Sequence, residues 1–232
     1  AGWGAPAWPG EYGGRDASPI QEMVFSAAMA EARAPGPVNA IGVANIGPAI
    51  MTVGTDEQKA THLRPLLRGD AIWCQGMSEP DAGSDLASLR TRAELDGDHF
   101  VINGQKIWTS EGHRADWCQL YVRTDPDAPK HKGISCLLVD MRTPGVEARP
   151  IVTMAGDTGF SELFFTDARV PVTAMLGACN EGWTVATSTL SNERAGVASL
   201  YLSLRRKLDR LMEVAGQPGP DGSRPADAPA AR

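Results

Sequence analysis

The sequence predicts an α+β chain: an N-terminal helical segment, a central antiparallel β-sandwich or barrel, and the start of a C-terminal helical bundle. Three observations carry this prediction. Helix-start signals and a three-to-four-residue apolar period fill the first third. Short β-rich runs take over near Ala71, and after Asn180 the helical period returns and persists to about Ala215. Strands grouped between helices, rather than alternating with them, argue against a parallel βαβ sheet.

In the first third, Ser18-Pro19-Ile20-Gln21 forms a capping box with Pro at the first helical position. Ile20, Met23, Val24, Ala27 and Ala30 then follow at helical spacing until Pro35-Gly36-Pro37 ends the run. Gly47-Pro48 opens a short apolar segment closed by Gly54. A second box, Thr55-Asp56-Glu57-Gln58, starts a helix that ends at Gly69 with Leu63, Leu66 and Leu67 on one side.

In the central region, His99–Thr109 sets two β-rich runs around Asn103-Gly104, which predicts a hairpin there. Further strands are expected at 117–123, 134–139, 145–152 and 162–170. No GxGxxG follows a strand, so a Rossmann fold finds no support. In the last region Ala186, Leu190, Val197, Leu200, Leu204, Leu208, Leu211 and Ala215 share one helical stripe, and Glu193 falls within it. A carboxylate on an apolar stripe is costly without a reason, and burial there raises its pKa towards that of a working base.

These elements divide the chain into an N-terminal helical part (1–72), a β-domain (73–178), a first C-terminal helix (179–215) and a tail (216–232). The tail's apolar residues are Ala and Pro, too little surface to offset its ordering entropy, so it is expected to be disordered or a linker. The chain opens on Ala1 in a Gly/Pro-rich stretch, and a fragment is expected.

Composition narrows the function classes. With 22 Lys+Arg against 28 Asp+Glu the net charge is −6, and no segment concentrates basic residues. Nucleic acid and an anionic membrane surface are therefore not expected partners. No stretch reaches the ~20 apolar residues of a membrane span, and no signal peptide is visible. Cys74, Cys118, Cys136 and Cys179 show no CxxC and no paired His, so neither a disulfide frame nor a metal site is expected. A reducing cytoplasm is the expected setting.

Two stretches carry candidate chemistry. Gln75–Asp85 is dense in small residues and backbone donors: Gly76 and Gly83 permit close approach, and Ser78 and Ser84 offer hydroxyls to a flat polar ligand. The alternative is an ordinary loop in which Ser84 or Asp85 caps a helical turn at 86–90. The second stretch, Lys106–Ser110, places Trp108 beside the hydroxyls of Thr109 and Ser110. Its alternative is a Trp buried in the sandwich core.

In this order and spacing, SEPDAGSDL (Ser78–Leu86), NGQKIWTS (Asn103–Ser110), FSELFFTDARVP (Phe160–Pro171), EGW (Glu181–Trp183) and LSNER (Leu190–Arg194) resemble the acyl-CoA dehydrogenase family. The resemblance runs from Gly10 to Gly216 and implies a flavoenzyme of helical, β and helical-bundle domains. On that basis Gln75, Gly76, Met77, Ser78, Gly83 and Ser84 match the FAD-binding loop, with Met77 and Ser78 at the pyrimidine edge. Trp108, Thr109 and Ser110 match the second flavin stretch. Ser84 also matches a contact to the coenzyme A portion, and Ser191 and Arg194 match contacts to the acyl chain.

Members of the family that place the catalytic glutamate on this helix carry it just before the Arg of an ER pair, here Glu193-Arg194. Pairing of Glu193 with a basic residue of a neighbouring helix is the alternative role. The implied reaction is α,β-dehydrogenation of an acyl-CoA to the trans-2-enoyl-CoA, with electrons passed to an electron-transfer flavoprotein. An oxygen-using acyl-CoA oxidase and a non-catalytic subunit of a heteromeric enzyme are the alternatives. The resemblance further implies a homo- or hetero-oligomer and absence from this chain of the first helices and most of the final bundle; with the N-terminal part expected to be missing, a mitochondrial matrix location stands as the alternative to the cytoplasm. A chain so shortened is expected to bind FAD weakly.

Overall fold

The structure, a computed structural model, describes residues 2–195, 197–220 and 222–227; the side chains of residues 192–200, 202–203 and 227 lie outside the described ones. The chain divides into two compact units, one of Ala1–Asp16 with Gly36–Glu193 and one of Ala17–Pro35 with Arg194–Arg232.

Both capping boxes form. Ser18 caps α1 (Pro19–Glu31) and Thr55 caps α3 (Asp56–Arg68), each reciprocated by the Gln at the third helical position. Gly69, at φ 74°, ends α3 in the left-handed conformation. The apolar segment after Gly47 is α2 (Gly47–Val53), entered through a π-helical turn at Gly42–Ile46 that the sequence pattern does not signal. In the second unit α1 packs against α5 (Val197–Ala215). Much of the apolar surface of both helices stays exposed, including Ile20, Met23 and Val24 on α1 and Leu204, Leu208 and Leu211 on α5.

The helical period after Asn180 resolves into α4 (Gly182–Ala195) and α5, with Gly196 outside the described residues. In the first unit Val185, Ala186 and Thr189 of α4 are buried, and Thr189 meets the Tyr121 hydroxyl at 3.3 Å. Beyond α5 the tail contains a short 3-10 turn at Pro225–Asp227; Asp221 and residues 228–232 lie outside the described residues. Among the described residues no helix is long and apolar enough to cross a membrane.

The central region is one seven-stranded mixed sheet: β1 (Trp73–Gly76), β2 (Arg92–Asp96), β3 (His99–Ser110), β4 (Trp117–Arg123), β5 (Ile134–Asp140), β6 (Val146–Ile151) and β7 (Phe160–Pro171). The order is β1-β4-β2-β3-β7-β6, with β5 on the other side of β4's ladder. Most pairings are antiparallel as expected; β1 and β2 depart by running parallel to β4, Trp73 opposite Trp117 and Arg92 opposite Arg123. The long connection from residue 77 to residue 116 makes a parallel return possible.

The hairpin expected at Asn103-Gly104 is not formed. Both residues lie inside the single strand β3, which pairs with β7 from His99↔Pro171 to Ser110↔Phe160. The turn falls instead at Gly97-Asp98, between β2 and β3, with Gly97 at φ 62°. Gly104 marks a register shift after Ile102 and sits at φ 150°. A Cβ there would come within 2.6 Å of Thr91 Oγ1, so glycine serves a close backbone approach rather than a turn.

Two apolar clusters flank the sheet. On the side of the helical segments, Trp8, Ile50, Leu66, Trp73, Tyr121, Leu138 and Val185 pack together. The opposite cluster takes Cys118, Leu120 and Val122 of β4 with Ile102, Leu137, Leu163 and Phe165. β4 and β5 contribute to both clusters, which is why they read as near-continuous apolar runs.

Candidate functional site

β1 runs directly into the loop that begins at Met77. Gly76 is buried, and a Cβ on it would meet Leu120 Cδ1 at 2.7 Å, so the strand lies on β4 as closely as only glycine allows. The loop closes on itself through Glu79 N–H to Ala82 O at 2.9 Å and Ala82 N–H to Glu79 O at 3.1 Å. Ile107 N–H donates to Ser78 O at 2.9 Å, which places the Met77–Ser78 segment beside the Lys106–Ser110 stretch. The two motifs, about thirty residues apart in sequence, thus share one edge.

Beneath that edge lies a buried ion pair. Lys106 Nζ donates to Glu79 Oε1 at 2.9 Å and to Met77 O at 3.1 Å, with the lysine side chain 0% and the glutamate 8% exposed. Glu79 also accepts from Thr91 N–H at 2.8 Å and Arg90 N–H at 2.6 Å. Burial pushes the Glu79 carboxyl up, but the Lys106 charge and the hydrogen bonds from Lys106 and Thr91 outweigh it and hold the group below its ordinary value. Burial pulls the Lys106 ammonium down, and the Glu79 charge opposes that pull. The sequence reading missed both as a pair. The available signal was parity: Lys106 shares the inward side of β3 with Phe100 and Ile102.

Trp108 is not a core residue. It sits at φ 61° in the irregularity between Lys106 and Thr109, with 58% of its surface exposed. A bulky side chain in the left-handed region costs on the order of 1–3 kcal/mol and persists only where its surroundings impose it. The half-exposed Phe160 meets it edge-on, with ring centres 6.1 Å apart. Thr109 turns the other way and is buried, and its hydroxyl has no partner among the described residues. After Ser110 the chain is pinned by Glu111 N–H to Gly159 O at 2.8 Å and by His113 N–H to Ser161 Oγ at 3.1 Å.

The other sequence-predicted residues distribute as follows. The Gln75 side chain is engaged inside the protein, accepting from Asn45 Nδ2 and donating to Gln119 Oε1, each at 3.0 Å. Gly83 and Ser84 are exposed, and no atom lies within 4 Å of a Cβ placed on Gly83. Asp85 accepts from the Ser88 hydroxyl rather than from a helix N–H, and Lys130 Nζ reaches it at 2.9 Å. The Ser191 hydroxyl bonds back to Thr187 O at 2.8 Å on α4. Glu193 and Arg194 belong to α4, but their side chains lie outside the described residues.

The edge suits a flavin ring. Among the described residues the N–H groups of Met77 and Ser78 and the Ser78 hydroxyl are not engaged by protein, while the exposed indole beside them offers an aromatic plane. Donors of this kind match the carbonyl and nitrogen acceptors of a pyrimidine edge. Two open clefts lie elsewhere, about 310 and 400 Å³ in volume; they share Tyr12 and Arg64, and no motif residue lines them.

Residues 74–168 match the model of the acyl-CoA dehydrogenase middle domain, and residues 1–70 that of the acyl-CoA dehydrogenase N-terminal domain. Acyl-CoA dehydrogenase IpdE1 of Mycobacterium tuberculosis is 45% identical over 217 residues, covering 93% of this chain and 56% of that protein. The solved structure of the Tcur3481-Tcur3483 steroid ACAD superposes with a TM-score of 0.85 at 41% identity, over 92% of this chain and 55% of that one. The ChsE4-ChsE5 complex from Mycobacterium tuberculosis gives 0.78 at 37% identity, over 98% and 58%. The chain therefore spans little more than half the length of the relatives it matches.

Proposed function

The chain belongs to the acyl-CoA dehydrogenase family, and from that premise we propose that the protein oxidises the α,β bond of an acyl-CoA thioester to the trans-2-enoyl-CoA with FAD. FAD, when bound, supplies the hydride acceptor. The observation that carries this reading is the shared edge at which Ile107 N–H bonds Ser78 O, with uncommitted donors at Met77 and Ser78 on one side and the exposed Trp108 plane on the other. Those donors hold the pyrimidine edge and stabilise negative charge developing there. Trp108 covers the ring system and shields it from water, with Thr109 and Ser110 completing that stretch.

In this reading Gly83 keeps the loop open to a ligand and Ser84 holds the coenzyme A portion. Ser191 and Arg194 contact the acyl chain, and Glu193 accepts the α-proton on its carboxylate. Electrons leave to an electron-transfer flavoprotein. The similar Tcur3481-Tcur3483 protein is described as a steroid ACAD and the ChsE4-ChsE5 structure as a complex. A steroid-type CoA thioester is accordingly the first substrate to test, and a second related subunit the first partner.

The test is anaerobic loss of flavin absorbance in the FAD-loaded, full-length protein on addition of the thioester. Bleaching that Glu193→Gln abolishes supports the assignment. Bleaching unchanged in Glu193→Gln moves the base elsewhere, and none in the unaltered protein with any CoA thioester refutes the reaction. Peroxide release under air identifies an oxidase instead.

A further inference from the structure

We propose that Lys106 acts on the flavin through the Met77–Ser78 peptide, as a buried positioning residue that strengthens the Ser78 N–H as a donor. The proposal rests on the flavin placement given above and adds a role that the motif residues do not carry.

The geometry is specific. The carbonyl to which Lys106 Nζ donates at 3.1 Å is that of Met77, and the other end of the same amide is the Ser78 N–H. An ammonium hydrogen-bonded to an amide oxygen draws electron density towards that oxygen and leaves the N–H more positive. Coupled hydrogen bonds inside a protein polarise one another in this way by roughly 10–30% per bond. Because Lys106 is fully buried, water screens the effect little. The Ser78 carbonyl is fixed by Ile107 N–H at 2.9 Å, which holds the next peptide in place as well.

Glu79 sets the strength of the arrangement. Its carboxylate shares the same ammonium at 2.9 Å and is itself held by two backbone N–H groups, from Thr91 and Arg90. The carboxylate therefore drains part of the lysine's charge away from Met77 O. Removing the ammonium and removing the carboxylate are expected to change the flavin in opposite directions. A pair serving only to hold the loop shape gives the same direction for both, because either loss loosens the same loop.

The experiment uses the full-length, FAD-loaded protein and titrates sulfite, whose addition to oxidised flavin is favoured by positive potential at the pyrimidine edge. Sulfite affinity is read from flavin absorbance, alongside the two-electron midpoint potential and the Kd for FAD. The double variant Lys106→Met/Glu79→Gln, which leaves no stranded buried charge, is expected to bind sulfite about two- to threefold more weakly, the loss of the roughly 10–30% that polarisation adds to one charge-assisted hydrogen bond. Glu79→Gln alone, titrated at the acid end of the range in which the flavoprotein is stable so that Lys106 keeps its proton without its counter-ion, is expected to bind it more tightly than the unaltered protein at the same pH. Two folded variants that shift together, or a double variant with unchanged sulfite affinity and potential, overturn the proposal. Failure of the unaltered protein to hold FAD overturns the flavin placement beneath it.

Discussion

Replacing Lys106 by Met tests the structure where its electrostatics are sharpest. The substitution preserves most of the buried aliphatic volume and removes one charge. Glu79, only 8% exposed, keeps its bonds from Thr91 N–H and Arg90 N–H but loses its counter-ion. Breaking a buried pair from one side costs about 3–5 kcal/mol. The lower end applies here, because two backbone dipoles still face the carboxylate; about 3 kcal/mol is expected. For a chain of this size that corresponds to a fall in Tm of roughly 6–12 °C. Adding Glu79→Gln removes the stranded charge and leaves one N–H without its acceptor. The double variant should therefore recover about 2 of the 3 kcal/mol. Urea denaturation and calorimetry at neutral pH on all four proteins of the cycle measure it. A single variant costing less than about 1 kcal/mol, or a double variant no more stable than the single, refutes the reasoning.

Further outcomes follow from the same site and its surroundings. The Glu79 carboxyl is held below its ordinary value near 4.5, so across the window below that value the unfolded chain binds more protons than the folded one. Its contribution is complete above that pH and lost on acidification; Glu79→Gln should flatten this acid limb of a Tm–pH profile, and a profile parallel to the parent's counts against the assignment. Trp108→Ala removes a side chain that is 58% exposed and held at φ 61°, so Tm should move by less than about 2 °C while FAD retention after desalting falls. Of the four cysteines only Cys179 is exposed; hydrogen bonding to Cys118 and burial push the Cys74 thiol up, and burial does the same at Cys136. A thiol reagent should titrate one group in the native protein and four in denaturant, and rapid native reaction of a second thiol contradicts the packing.

What the sequence discloses here is what short-range chemistry decides. Ser18 with Gln21 and Thr55 with Gln58 announce their helices because cap and partner are three residues apart. The strand 117–123 is legible because both of its faces are buried. Asn103-Gly104 misleads for the opposite reason: the partner that makes it a mid-strand irregularity is β7, some sixty residues on, and Thr91 packed against Gly104 supplies the need for glycine. The Lys106–Glu79 pair spans 27 residues and was visible only as a charge on the inward side of a strand. The SEP and KIW stretches meet at one edge, but which of their residues face outward and which hold the loop is a tertiary fact. Trp108 faces outward, while Glu79, Lys106 and Thr109 face inward.

Amide hydrogen exchange on the protein with and without saturating FAD reads the location of the cofactor directly. Slowed exchange concentrated at Met77, Ser78 and residues 108–110 is the result this account requires. Stoichiometric flavin binding that leaves those amides exchanging at their unliganded rates places the ring elsewhere and contradicts it.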